Sequence, residues 1–194
     1  MKTVIFDIGN VLVDYDWESY LRTFHYEEKI YQRIADAVFR NEDWAEGDIG
    51  RISAEEWLEL FIENAPDLET EIRQVFAGLE GTIVPLSYTE EWIEYFRRQG
   101  FKLYYLSNYS SDLYQRTKDK LAFLEGFDGG IFSYEVKCIK PDEKIYRILL
   151  ERYSIDPSDA VFYDDRPENA EAAERLGMKG VVFHKDIPLQ MLGK

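Results

Sequence analysis

Cysteine and histidine are nearly absent from this sequence. Cys138 is the only cysteine in the 194 residues, so an internal disulfide is excluded and a reducing compartment is expected. The two histidines, His25 and His184, stand in no arrangement with Cys138 that indicates a Cys–His catalytic pair. We therefore interpret Cys138 as a packing residue rather than as a nucleophile.

Positive charge and long apolar runs are also scarce. The chain has 23 Lys and Arg against 38 Asp and Glu, which gives a formal net charge of −15. Because such a surface repels phosphate backbones and anionic lipid headgroups, we expect neither nucleic acid nor membranes as partners. No segment approaches the ~20 apolar residues that span a bilayer, and the N-terminal MKTVIFDIGNVLVD is typical of a strand rather than of a secretion signal. We expect a soluble, cytoplasmic protein.

Apolar material for a folded core is present. Hydrophobic residues make up 45% of the chain and aromatic residues 15%. Short apolar runs that are typical of strands alternate with segments of helical periodicity. The predicted strands are residues 3–6, 102–106, 130–133, 160–163 and 180–183. The predicted helices are residues 90–98, 144–153 and 169–176. This alternation predicts an α/β fold with a doubly wound, Rossmann-like parallel sheet.

The segment of residues 15–86 interrupts the alternation. It has few strand patterns and shows helical periodicity at residues 27–39, 53–64 and 68–79. Ser53 and Glu56 have the spacing of a capping box at the start of the second of these helices. We therefore predict an α/β core domain of residues 1–14 and 87–194, into which residues 15–86 insert a small helical-bundle cap domain.

Polar residues follow the predicted strands where the chain leaves the sheet, which is the edge at which open α/β sheets bind ligands. These residues are Asp7, Ser107, Asn108, Lys140, Asp164 and Asp165. Taken singly, an aspartate or serine in such a place often caps the next helix. The adjacent carboxylates of Asp164 and Asp165, however, repel each other and are costly to desolvate unless a cation neutralises them. The pair therefore favours a metal site.

Together these side chains suit Mg²⁺ and a phosphoryl group. Asp7, Asp164 and Asp165 supply the hard oxygen ligands that Mg²⁺ prefers. Lys140 balances the anionic cluster and can hold one phosphoryl oxygen. The Ser107 hydroxyl and the Asn108 backbone N–H, from one strand end, can hold another. The metal and the lysine would create a local cationic site, which overcomes the repulsion between an acidic protein and a phosphorylated substrate.

These segments, in this order, resemble the four motifs of the haloacid dehalogenase-like (HAD) hydrolase superfamily. FDIGNVLVD is similar to the first motif, LSN to the second, the KP of CIKPDEKIY to the third and VFYDDRPEN to the fourth. The helical insertion after the first motif resembles the C1 cap of subclass I. The resemblance covers the whole chain. It implies a magnesium-dependent phosphatase that acts on small phosphorylated metabolites, with sugar phosphates as the expected class.

The resemblance also implies a role for each matching residue. Asp7 is the expected nucleophile, which forms an aspartyl-phosphate that water hydrolyses. Gly9 is expected to bind Mg²⁺ through its backbone carbonyl, Asp165 through its side chain, and Asp164 directly or through water. Asn169 is expected to orient the metal or the lysine of the third motif, although a helix N-cap is its simpler explanation. The assembly is expected to be a monomer or a homodimer.

One position departs from the superfamily pattern. Most of its phosphatases carry a second aspartate, the general acid and base, two residues after the nucleophile, where this chain has Gly9. General acid–base catalysis is typically worth ~10²–10⁴-fold. A good leaving group, such as an anomeric oxygen, would reduce that need. The α-D-glucose-1-phosphate phosphatase branch, which this chain resembles in DIGNVLVD, in residues 46–53 and in DDxxxN, also has glycine there. Alternatively another carboxylate substitutes, such as Asp14, Asp16 or a residue of the cap.

Two further functions stay open on the sequence. In a 2-haloacid dehalogenase the aspartate attacks carbon and no metal is needed, so the Asp164–Asp165 pair would be uncompensated, which argues against it. A non-catalytic phospho-ligand binding protein on the same scaffold is the other, and the intact Asp7, Ser107, Lys140 and Asp165 argue against it. Within the cap, the candidate substrate contacts are Trp44, Glu46 and Arg51, although packing in the cap explains Trp44 better.

Overall fold

The computed structural model describes residues 2–193 of the chain. Its strands are β1 (Thr3–Phe6), β2 (Val13–Tyr15), β3 (Ile83–Pro85), β4 (Lys102–Ser107), β5 (Gly129–Phe132), β6 (Ala160–Asp164) and β7 (Lys179–Val182). Five of them form a parallel sheet in the order β5-β4-β1-β6-β7, while β2 and β3 form a separate antiparallel pair. The predicted parallel sheet is confirmed, and β1 lies at its centre.

Helices cover the sheet and build the inserted segment. They are α1 (Trp17–Arg22), α2 (Glu28–Ile34), α3 (Asp43–Ile49), α4 (Ala54–Asn64), α5 (Glu69–Ala77), α6 (Thr89–Arg98), α7 (Ser111–Thr117), α8 (Ser133–Val136), α9 (Glu143–Arg152), α10 (Pro167–Arg175) and α11 (Asp186–Leu192). A π-helical turn, Ala35–Phe39, continues α2. Within residues 2–193, every helix is too short or too polar to cross a membrane.

The two faces of the sheet are buried by different helices, which is the doubly wound arrangement. Side chains alternate along β1, so Phe6 packs on one face and Ile5 on the other. Phe6 contacts Trp92 of α6 edge to face, with ring centroids 4.9 Å apart. Ile5 belongs to the opposite core, together with Tyr146 of α9 and Ala172 of α10. Burial on both faces explains why consecutive residues of β1, from Val4 to Phe6, are all apolar.

The stretch from residue 17 to 82, which we term the helical insertion, lies between the antiparallel strands β2 and β3. Its interior is packed with aromatic and aliphatic side chains that include Trp57, Phe61 and Ile72. The predicted capping box of α4 is confirmed: the Ser53 hydroxyl accepts the Glu56 N–H at 3.2 Å, and the Glu56 carboxylate accepts the Ser53 N–H at 2.8 Å.

Several short elements were not predicted from the sequence. Strands β2 and β3 pair Val13 with Pro85 and Tyr15 with Ile83. The segments that enter and leave the helical insertion therefore lie next to each other. Each strand has three residues, which is too short for a pattern of period two. The unpredicted helices α1, α3, α7, α8 and α11 span four to seven residues, about two turns at most.

Candidate active site

The polar residues that follow the strands meet at the carboxyl edge of the parallel sheet. Asp7 lies directly after β1, and its neighbours in the sheet end at Ser107 and Asp164. The Ser107 hydroxyl donates to Asp7 Oδ1 at 2.7 Å. Lys140, from the loop between α8 and α9, places its Nζ 2.9 Å from Asp7 Oδ1 and 2.7 Å from Asp164 Oδ2. Parallel pairing of β1 with β4 and β6 therefore brings Asp7, Ser107 and Asp164 to one edge, where Lys140 contacts both aspartates.

Lys140 is a buried ammonium, only 2% exposed. Burial by itself would lower the pKa of Lys140, but the Asp164 and Asp7 carboxylates raise it above its ordinary value, so the lysine stays charged. Burial raises the pKa of Asp7 to about 7, against the attraction of the lysine. The cluster thus holds more carboxylates than its single lysine can neutralise.

Asp164 is fully buried and serves to hold the lysine. Its Oδ2 accepts from Lys140, and its Oδ1 accepts both the Asn169 amide and the Arg166 N–H at 2.9 Å. Asn169 lies inside α10, whose N-cap is Arg166, so the simpler explanation of Asn169 as a helix cap is wrong. Asn169 instead reaches Lys140 indirectly, by orienting the carboxylate that binds it.

Asn108 clamps the backbone of the lysine loop. Its amide nitrogen donates to the Lys140 carbonyl at 3.1 Å, and its amide oxygen accepts the Lys140 N–H at 2.8 Å. The sequence had pointed to the backbone N–H of Asn108 as a phosphate donor and gave no role to its side chain. The reciprocal pair of hydrogen bonds fixes the loop that carries the lysine into the cluster.

Asn10 is a site residue that the sequence reasoning missed. Its amide donates to Asp165 Oδ2 at 3.0 Å, while its amide oxygen accepts the Tyr15 N–H at 3.1 Å. Asn10 lies in the left-handed region, with φ of 58°, where asparagine is enriched. The sequence does contain a signal for this turn, because an asparagine follows the glycine of FDIGN directly and precedes an apolar run.

The carboxylates fit a divalent cation. Asp7, Asp164 and Asp165 each offer one oxygen, and these three oxygens lie within 4.8 Å of one another. Burial also raises the pKa of Asp165, which the hydrogen bond from Asn10 opposes. An oxygen-only donor set with excess negative charge is the kind that Mg²⁺ prefers. The residues that would hold the ion are these aspartates and Gly9, which borders the same space.

A cavity of about 210 Å³ opens above this cluster. Its floor includes Asp7, Asp165 and Lys140, and its upper wall is formed by Trp44 and Asp48 of α3. Its sides are formed by Tyr15, Ile83, Tyr109 and Leu113. A larger surface cavity of about 840 Å³ lies along α6, but none of the clustered polar residues lines it. The chemistry therefore belongs to the smaller cavity, which the clustered polar residues line.

The substitute acids that the sequence offered lie outside the cavity. The Asp14 carboxylate forms a salt bridge with Lys185 at 2.9 Å. Asp16 caps α1 by accepting the Ser19 N–H at 3.0 Å, which lowers its pKa. Neither carboxylate is among the residues that line the cavity. Both therefore have structural roles, and neither replaces the acid that is missing at Gly9.

Of the three candidate substrate contacts in the helical insertion, one lines the cavity and two do not. Trp44 lines the cavity and also packs against Trp57, with ring centroids 5.0 Å apart. Arg51 donates to the Lys137 carbonyl at 3.4 Å, outside the cavity, and Glu46 is not a lining residue. Only Trp44 of the three is in a position to contact a ligand there.

The model of the haloacid dehalogenase-like hydrolase family matches residues 1–177, and the chain belongs to this family. The expectation of a HAD-like enzyme is thereby confirmed.

Similar proteins include a sesquiterpene phosphatase of Aspergillus oryzae, 23% identical over 93% of this chain and 88% of its own. A phosphorylated carbohydrates phosphatase of Thermotoga maritima is 26% identical over 93% of this chain and 84% of its own. The crystal structure of a HAD family enzyme of Bacteroides thetaiotaomicron, in complex with magnesium and inorganic phosphate, superposes with a TM-score of 0.72 over 92% of both chains at 23% identity.

Proposed function

We propose that this protein is a magnesium-dependent phosphatase that hydrolyses small phosphorylated metabolites through an aspartyl-phosphate. The observation that carries the proposal is the cluster of Asp7, Lys140 and Asp165 at the floor of one cavity. It is supported by the magnesium and phosphate bound to the similar HAD family enzyme and by the phosphatase names of the two relatives.

Asp7 is the nucleophile in this proposal. The hydroxyl of Ser107, the ammonium of Lys140 and the N–H of Ile8 all point at its Oδ1, at 2.7, 2.9 and 2.7 Å. Within residues 2–193, no hydrogen-bond donor reaches its Oδ2, which leaves that oxygen available to the substrate or the metal. Three donors on one oxygen fix the orientation of the carboxylate, so the attack on phosphorus starts from a preorganised geometry.

Charge neutralisation comes from the lysine and the metal. Mg²⁺, held by Asp7, Asp165 and the Gly9 carbonyl, supplies positive charge against the phosphoryl oxygens when it is bound. Lys140 and the hydroxyl of Ser107 hold further phosphoryl oxygens. We assign Asp164 to the lysine first, because both of its oxygens already accept hydrogen bonds, and to the metal through water.

Sugar phosphates are the substrate class that we propose. The cavity is small, and its walls carry the aromatic rings of Tyr15, Trp44 and Tyr109, which suit the apolar faces of a sugar ring. Its cations are Lys140 and Arg166, and Arg166 already pairs with Glu168 at 2.6 Å. The cavity therefore suits one phosphoryl group rather than two. The name of the Thermotoga maritima relative supports this class.

We further propose that residues 15–86 act as a C1-type cap domain over a core domain of residues 1–14 and 87–194. In this proposal the cap closes the cavity and excludes water from the phosphoryl group. The contribution of Trp44 and Asp48 to the cavity wall supports it. The resemblance to the α-D-glucose-1-phosphate phosphatase branch is part of the same proposal.

The test is a screen of the purified protein against p-nitrophenyl phosphate and a panel of phosphorylated metabolites. We expect phosphate release that requires Mg²⁺, stops with EDTA and falls ~10⁴–10⁶-fold in Asp7→Asn, as for other covalent nucleophiles. Asp14→Asn is the matched control, because Asp14 pairs with Lys185 outside the cavity. A fully active Asp7→Asn protein would contradict the proposal. So would EDTA-insensitive chloride release from 2-chloropropionate, which would identify a dehalogenase.

A further inference from the structure

Position 9 leaves a gap above the nucleophile. A Cβ built on Gly9 meets no atom within 4 Å, so the absence of a side chain there is not forced by crowding. The carboxylates that line the cavity are those of Asp7, Asp48 and Asp165. In the proposed function, Asp7 is the nucleophile, and Asp165 is held by Asn10 beside the metal. One carboxylate of the cavity wall therefore has no assigned role.

We propose that Asp48, at the end of α3, is the general acid and base of this enzyme and replaces the aspartate that is missing at position 9. The proposal rests on the proposed phosphatase function. The core and the helical insertion would then each supply one catalytic carboxylate, Asp7 from below the phosphoryl group and Asp48 from above. The insertion would thereby take part in the chemistry as well as in the enclosure of the substrate.

The Asp48 carboxylate is free to exchange a proton. No residue from 2 to 193 donates a hydrogen bond to its side chain. Its electrostatic interactions are with Asp7, Lys140, Tyr15 and Tyr109, which line the same cavity. Burial raises the pKa of Asp48 to about 7, helped by the charge of Asp7 and opposed by that of Lys140. A carboxyl group that titrates near neutral pH can both donate and accept a proton under working conditions.

The backbone around Asp48 is anchored to the sheet region. The Asp48 carbonyl accepts the hydroxyl of Ser133 at 2.6 Å, and Ser133 is fully buried at the start of α8. Gly50 ends α3 in the left-handed conformation, with φ of 71°, and a Cβ there would lie 2.7 Å from Cβ of Tyr134. Glycine thus permits the close approach that holds Asp48 over the cavity.

Two steps transfer the phosphoryl group from the substrate to water, and Asp48 exchanges a proton in each. Asp7 attacks phosphorus, the bond from phosphorus to the leaving oxygen breaks, and its electron pair takes the proton of Asp48, which releases the alcohol. The ionised Asp48 then accepts a proton from the water that attacks the aspartyl-phosphate. The acyl-phosphate P–O bond breaks and returns its electron pair to Asp7. Inorganic phosphate leaves, and Asp48 is protonated again for the next cycle.

The test compares two leaving groups in Asp48→Asn. A general acid matters for an alkyl phosphate, whose alkoxide is a poor leaving group, and little for p-nitrophenyl phosphate. We expect kcat/KM of Asp48→Asn to fall by ~10²–10⁴-fold on the alkyl phosphate and by less than ~10-fold on p-nitrophenyl phosphate. Since hydrolysis of the aspartyl-phosphate also needs Asp48, the variant should release a stoichiometric burst of p-nitrophenolate, followed by slow turnover.

Two controls separate this role from a structural one. Asp48→Ala should reproduce the same pattern, and both variants should unfold at the temperature of the wild type. Glu42→Gln, which removes a charge at the exposed N-cap of α3, should leave both substrates unaffected. Equal losses on both substrates, or no loss on either, would overturn the role of Asp48 while leaving the phosphatase function in place. A wild-type protein that hydrolyses neither substrate would overturn the proposed function and this inference together.

Discussion

At the scale of single residues, the cost of burying charge shapes the site. Lys140 is 2% exposed, and an unpaired buried ion costs several kcal/mol, so it needs both Asp7 and Asp164 as partners. Asn169 then fixes Asp164, and Asn108 fixes the lysine backbone. The side chains of Asp164, Asn169 and Asn108 thus place one ammonium beside the candidate nucleophile.

The free space beside Gly9 allows a carboxylate to be added at that position. A Cβ at position 9 would meet no atom within 4 Å, and the backbone there is outside the left-handed region. In the Asp48→Asn background, adding Gly9→Asp should restore kcat/KM on an alkyl phosphate by at least ~10-fold, because it returns a carboxylate near the leaving group. Gly9→Asn in the same background is the isosteric control. Equal activity of these two double variants would show that position 9 does not reach the leaving oxygen.

The residues that could be predicted are those whose position follows from the sheet. Asp7, Ser107 and Asp164 end neighbouring parallel strands, so the topology alone brings them to one edge. Asn10 and Asp48 could not be predicted in this way. Asn10 depends on a left-handed turn, and Asp48 depends on how the insertion folds back over the sheet, which no local pattern encodes.

At the scale of elements, length decided which parts of the fold were predictable. Helices of nine or more residues, such as α4, α6 and α9, show a full apolar face and were predicted within a residue or two of their ends. The antiparallel pair of β2 and β3 has three residues in each strand, and it forms because the two ends of the insertion meet, not because of local periodicity. The element that carries Asp48, α3, is also short, with seven residues.

The capping box of α4 gives an element-scale prediction. The Ser53 hydroxyl satisfies the Glu56 N–H, one of the N–H groups left without a partner at the start of the helix. Ser53→Ala should lower the free energy of unfolding by about 1 kcal/mol, measured by urea denaturation. The m value, which is the slope of that free energy against urea concentration, should not change. Ser53→Asp preserves an acceptor and should stay within a few tenths of a kcal/mol of the wild type. An Ala variant as stable as the wild type would mean that this cap contributes nothing to folding.

At the scale of the whole molecule, the negative charges of the surface and of the candidate site both destabilise the folded state. The chain carries a formal charge of −15, and three of its carboxylates, those of Asp7, Asp164 and Asp165, place oxygens within 4.8 Å of one another. Self-repulsion of this kind destabilises a compact state. A divalent cation bound at this cluster would offset the repulsion there, so we expect metal binding to be coupled to folding stability.

That coupling is measurable as stabilisation by Mg²⁺. A ligand that binds only the folded state raises the free energy of unfolding by about 2.7 kcal/mol at a concentration 100 times its Kd. We expect an increase of that size in chemical denaturation with saturating MgCl₂, and its loss in Asp165→Asn, which removes a ligand oxygen held by Asn10. NaCl at equal ionic strength controls for screening of surface charge, and Asp14→Asn controls for loss of a carboxylate outside the cavity. If NaCl stabilises the wild type as much as MgCl₂ does, or if Asp165→Asn keeps the full increment, the acidic cluster is not where the ion binds.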